Sequence, residues 1–121
     1  MNRVEKVVVL GTEYKITFDD ADDKELGGKL RMGYCFIDAR EIHIADLETS
    51  DEWKKESKDS KDRCTRGILR HELVHAFLAE SGLWGSTNKV SSWAMNEEMV
   101  DWIALQFPKL LKAFQECDCC L

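Results

Sequence analysis

His71 and His75 stand four positions apart in "LRHELVHAFLAESG", with Glu72 directly after the first. On a helix such residues share one face, a turn apart, so both imidazoles can be aimed at a single point. Zinc suits that arrangement, because it accepts two imidazoles and a carboxylate and keeps an open position for water. Glu72 comes near the ion without having to bind it, and from there can take a proton from a water the ion has acidified. The predicted chemistry is hydrolysis, with His71 and His75 as ligands and Glu72 as general base.

Three fixed positions recur by chance in unrelated helices, so the third ligand decides the class of site. A His-Glu-x-x-His-x-x-Gly-x-x-His spacing is excluded, since Leu78 and Ser81 stand where the glycine and last histidine belong. No histidine follows His75, and His43, the remaining one, precedes the motif. A glutamate on a following helix is left, and "WAMNEEMVDWIA" supplies it. Glu97 follows His75 at a distance that allows a loop and one turn back. Asn96-Glu97 with Asp101 reproduces the Asn-Glu-x-x-x-Asp arrangement of zinc proteases whose third ligand is glutamate. Glu98 competes for the role, but one turn on it meets Trp102, whereas Glu97 meets Asp101, which can accept the second ring N–H of a ligand histidine. Tyr34 and His43 are the candidates for an oxyanion or substrate contact.

The elements that must position these residues follow from periodicity. Residues 4–18 read as a hairpin broken at Gly11-Thr12, and residues 34–47 as a second hairpin around Asp38-Ala39-Arg40, with Ile42 and Ile44 facing one way and Glu41, His43 and Ala45 the other. Between them "DDADDKELGGKLRMG" reads as a solvated turn. The charge-rich stretch 48–63 reads as a solvated helix face or mobile loop. A helix is predicted from about Thr65 to Gly82, then a loop "LWGSTNKVSS" with Ser91 or Ser92 as N-cap. A second helix follows from Trp93, with a kink or restart at Pro108.

With 121 residues, one proline and an apolar fraction of 44%, the chain fits one domain spanning 1–121. The formal charge of −6 argues against nucleic acid or anionic lipid as partner. The opening segment has no apolar run long enough for a signal-peptide core or a membrane span, so a cytoplasmic location is expected. Five cysteines, an odd number, read as reduced thiols, with Cys117, Cys119 and Cys120 in a frayed tail over 116–121.

The blocks "LGTEYKITFDDADD", "GYCFIDAREIHI", "LRHELVHAFLAESGL" and "NEEMVDWIALQFP" resemble the small zinc-dependent ImmA/IrrE-like metallopeptidases of bacteria and their phages. The resemblance implies a minimal gluzincin: an α+β fold with a short antiparallel sheet, a metal-binding helix and a second ligand-bearing helix. It makes His71, His75 and Glu97 ligands of one Zn2+, Glu72 the catalytic base, and Asp101 the match to an acid or amide four residues on. Val74 departs from the family's common glycine, and Val100 from its alanine. Some relatives cleave a helix-turn-helix repressor, so a protein substrate of that kind is expected. The rival from another class is a zinc-binding protein-interaction module on the same fold without turnover.

Overall fold

The structure, a computed structural model, describes residues 1–84 and 92–120. Strands β1 (Lys6–Val9) and β2 (Thr12–Asp20) form an antiparallel hairpin with Val7 opposite Tyr14. At its turn Leu10 and Gly11 both have positive φ, 47° and 85°. A type I′ turn requires this, because its twist matches that of the flanking strands. Glycine adopts the conformation freely, whereas leucine is strained in it.

Strands β3 (Gly33–Phe36) and β4 (Glu41–Asp46) form the second antiparallel hairpin. The two hairpins do not join into an all-antiparallel sheet. Strand β2 runs parallel to β4, pairing Ile16 with Ile42 and Phe18 with Ile44, and the order is β1-β2-β4-β3. The cause lies in residues 21–32, which carry the chain to the far edge so that β4 returns between β3 and β2. This segment is more than a solvated turn. The Asp20 and Asp23 carboxylates accept the N–H groups of Asp22 and Glu25, each at 2.8 Å, and Leu26 is fully buried with Ala45 and Leu47. Strand β3 is left as an edge strand.

Helix α1 (Lys58–Glu80) begins well before Thr65, because Ser57 caps it by accepting the Ser60 N–H at 3.2 Å. The charge-rich stretch 48–63 is mostly exposed, as a solvated face is, but it is pinned at Lys61. Buried Lys61 donates to Glu48 Oε2 at 2.9 Å and to the Lys54 carbonyl at 3.0 Å. On the sheet face that meets α1, Val9, Tyr14, Ile16, Ile42 and Ile44 are buried together with Ala76. At the far end of the helix Glu80 accepts from Tyr14 Oη at 2.7 Å and Thr12 Oγ1 at 2.9 Å, which ties α1 to the first hairpin. Gly82, with φ 82°, follows the helix end in a left-handed conformation.

Helix α2 (Glu97–Glu116) begins at Glu97 rather than Trp93. Trp93–Met95 form a 3-10 turn, and the cap is Asn96, whose side chain accepts the Met99 N–H at 3.0 Å. Ser92 precedes that turn without a side-chain capping bond. Ser91 and most of the loop expected over 83–92 lie outside the described residues. Helix α2 continues through Pro108 without a restart. Proline has no N–H to offer the carbonyl four residues back, which belongs to Ala104. That carbonyl accepts Arg70 Nε from α1 instead, at 3.0 Å, and so joins the two helices. Val100 and Ala104 are the buried residues of α2. The whole is α+β, a four-stranded sheet with two long helices, and no helix among the described residues is long and apolar enough to cross a membrane.

Replacing Leu10 by asparagine, which tolerates positive φ, is expected to raise stability by about 0.5–1 kcal/mol. Urea unfolding of Leu10→Asn against the parent chain checks this, and an unchanged or lower midpoint would contradict the assigned strain.

Candidate metal centre

One turn of α1 sets His71 and His75 on the same face, and each ring is oriented through its Nδ1. His75 Nδ1 lies 2.6 Å from the carbonyl oxygen of Ala94. A carbonyl only accepts, so Nδ1 carries the proton and Nε2 of the neutral ring carries a bare lone pair. His71 Nδ1 lies 2.7 Å from Asp101 Oδ1, and an ionised carboxylate imposes the same tautomer. The two Nε2 atoms face each other at 3.0 Å. Glu97 completes the group, with Oε2 at 3.0 Å from His71 Nε2 and Oε1 at 3.2 Å from His75 Nε2. Two lone pairs and a carboxylate converge, all acceptors, and a donor set of that kind fits a cation. His71, His75 and Glu97 could therefore hold a metal ion.

The local sequence explains the convergence. Asn96 fixes the first turn of α2, which puts Glu97 at its N-terminus, where a carboxylate is favoured, and Asp101 one turn on. The Ala94 carbonyl is held by the 3-10 turn, itself tied by the Ala94 N–H to the Leu83 carbonyl at 3.1 Å. Ala94 supports the candidate site in a way that side-chain patterns could not reveal, because its contact to His75 is through the backbone. Glu98 stays exposed and lines a separate hollow with Met99 and Trp102.

Glu72 is buried beside the histidines. Burial pushes its carboxyl up to about 7, with His71 opposing and Glu97 adding to the shift. The edge strand approaches it closely at Gly33. A Cβ there would come within 2.7 Å of Ile68 Cγ2 and 3.1 Å of Glu72 Oε1. A glycine opening a strand is the signal that could have marked this approach. The group sits in an open cleft of about 680 Å³ between β3 and the two helices. Cys35 borders the same cleft, but burial pushes its thiol up to about 12, so it is no thiolate nucleophile at neutral pH.

Tyr34 and His43 are not brought to the group. They pair across β3 and β4, on the sheet face opposite Ile42 and Ile44, and their rings stack at 4.5 Å between centroids. His43 is held there by Asp19 Oδ2 at 2.6 Å, Thr17 Oγ1 at 3.0 Å and Glu41 Oε2 at 2.9 Å. Tyr34 borders the cleft, yet its ring belongs to the far side.

Adding Zn2+ to chelator-stripped protein at about 100 times its dissociation constant is expected to stabilise the fold by about 2.7 kcal/mol. His75→Ala and Glu97→Ala should abolish the rise in thermal midpoint, and Asp101→Ala should weaken binding about 10–100-fold. A rise retained in both ligand variants would place the ion elsewhere. Gly33→Ala is expected to cost about 1–3 kcal/mol in urea unfolding through overpacking against Ile68 and Glu72.

The family model described as BSP, peptidase of plants and bacteria, matches residues 37–114. No curated protein and no solved structure matches the chain. The matched span is more than half of the sequence and contains α1 together with most of α2, so His71, His75, Glu97 and their supports Ala94 and Asp101 lie within it. On that match the chain belongs to the family of peptidases of plants and bacteria.

Proposed function

We propose that this peptidase is a zinc-dependent endopeptidase in which His71, His75 and Glu97 hold the ion and Glu72 is the general base. The observation that carries the reading is the convergence of two Nε2 lone pairs and the Glu97 carboxylate, with Glu72 buried alongside. Tetrahedral ligands about 2.0 Å from a shared zinc stand roughly 3.3 Å apart, close to the separations in this group. When bound, zinc supplies Lewis acidity, which lowers the pKa of water and polarises the carbonyl under attack.

Glu72 takes a proton from the attacking water as the new C–O bond forms. It then passes that proton to the leaving nitrogen as the C–N bond breaks. Asp101 and the Ala94 carbonyl keep both Nδ1 atoms protonated, so both Nε2 atoms stay available as ligands. Among the described residues no strand pairs with the outer side of β3, and an extended polypeptide can pair with it there and run past Glu72 near Gly33. The resemblance of several sequence blocks to ImmA/IrrE-like peptidases favours a specific cytoplasmic protein as substrate, such as a phage or mobile-element repressor, over bulk peptide.

The test compares wild type with Glu72→Gln on candidate repressors and on unfolded casein, both proteins being loaded with Zn2+. Loss of a general base is expected to lower cleavage about 10²–10⁴-fold while zinc content is unchanged. Equal action of the two proteins would sink the enzyme reading and favour the zinc-binding interaction module.

A further inference from the structure

Gly33 and Gly67 both border the cleft, but packing requires a glycine only at the first. A Cβ on Gly33 would collide with Ile68. Among the described residues, a Cβ on Gly67 would meet only Arg70 Nη2, at 4.0 Å. Gly67 lies inside α1 and has no positive φ, so neither conformation nor close approach calls for glycine there. In a helix interior glycine is weaker than alanine. The missing side chain leaves space on the cleft wall instead. Helical spacing locates that space: Gly67 stands one turn before His71 on the face that carries both histidines, about 5–6 Å from the first ligand. Helix α2 runs antiparallel to α1 here, since Asp101 meets His71 and the Ala104 carbonyl meets Arg70. Leu105 therefore comes beside the turn of Gly67, and it is 64% exposed. Cys64, Ile68 and Ala104 border the same end of the cleft. Its acids, Glu72, Glu97 and Asp101, are gathered at the histidines, and Arg31 is turned to the Glu25 carbonyl and the Tyr34 ring. The cleft is thus polar at the cation-binding group and apolar one turn away.

We infer that Gly67 is a specificity-determining residue, whose missing side chain makes room for a large apolar side chain of the substrate next to the bond to be cut. The inference rests on the endopeptidase reading above and narrows its substrate. Successive residues of an extended chain are about 3.3 Å apart, so a carbonyl held at His71 brings a neighbouring leucine or phenylalanine side chain within reach of Gly67. Burial of that side chain against Ile68 and Leu105 supplies the preference. The nearby Arg70 gives its Nε to the Ala104 carbonyl, and the flat face of a guanidinium also suits an aromatic ring.

The experiment uses the full chain loaded with Zn2+ on end-blocked peptides of randomised sequence, with the cut bonds read by mass spectrometry. At one of the two positions flanking the cut bond, wild type is expected to favour phenylalanine, leucine or methionine over alanine about tenfold. Gly67→Leu fills the space, so alanine and glycine should replace the large residues at that position, and Gly67→Ala should give an intermediate ratio. Both substitutions suit a helix better than glycine, so the variants should keep or raise the thermal midpoint. No preference in wild type, a preference for glutamate, or an apolar preference unchanged in Gly67→Leu overturns the inference. A second measurement needs no turnover. Hydroxamates, which chelate zinc directly, carry an isobutyl or a methyl group on the adjacent carbon, and their binding to the zinc-loaded protein is followed by calorimetry. The isobutyl compound should bind wild type about tenfold more tightly than the methyl compound, and Gly67→Leu should lose that ratio. If no peptide is cut, the endopeptidase reading fails by itself, and the hydroxamate ratio still decides the role of Gly67: equal binding of the two compounds by wild type, or binding of neither, overturns it.

Discussion

Two imidazole lone pairs and a carboxylate repel one another when they point at the same place, and the packing of this protein is arranged to make them do so. His71 and His75 cannot turn their protonated nitrogens inward, because Asp101 and the Ala94 carbonyl already hold those protons. The remainder of the helical layer supports that constraint. Asn96 starts α2 at the residue that makes Glu97 its first, the 3-10 turn presents Ala94, and Arg70 ties α1 to α2 beside the group. Acceptors forced together in this way store a repulsion that a cation relieves, which couples metal affinity to the folding of both helices.

The sheet divides the chemistry into two faces. Toward α1 it presents Ile16, Ile42 and Ile44, an apolar bed that fixes the height of the helix. On the other face His43 takes Asp19 and Glu41 as partners and stacks on Tyr34, a polar arrangement complete in itself. Strand β3 belongs to both faces, since Gly33 admits Glu72 on one side while Tyr34 packs on the other. A single edge strand thereby relates the depth of the cleft to the packing behind the sheet.

Much of the candidate site was legible in the sequence, because its ligands sit at helical spacings and those spacings are rigid. His71 and His75 four apart, and Glu97 and Asp101 four apart, needed only two helices to be recognised. The strand alternation also carried the location of His43: if Ile42 and Ile44 face the helix, His43 must face away. Other features left no such trace. The parallel pairing of β2 with β4 depends on where an acidic loop crosses, which Leu26 decides by burying itself. The Ala94 carbonyl is backbone, and backbone groups look alike in any sequence. The start of α1 was hidden because a run of alternating charge has no apolar period, although Ser57 and Ser60 form its cap.

Pro108 shows how a local rule can be reversed by its neighbours. A residue known for interrupting helices has here released an acceptor at the moment a donor from another helix is within reach, so the defect in one ladder becomes the bond between two. Any residue with an N–H at 108 would reclaim the Ala104 carbonyl for α2 and set it in competition with Arg70. Position 108 is thus tied to α1 although it lies outside the His71, His75 and Glu97 group. A substitution that improves α2 as an isolated helix would loosen the frame in which His71 meets Glu97.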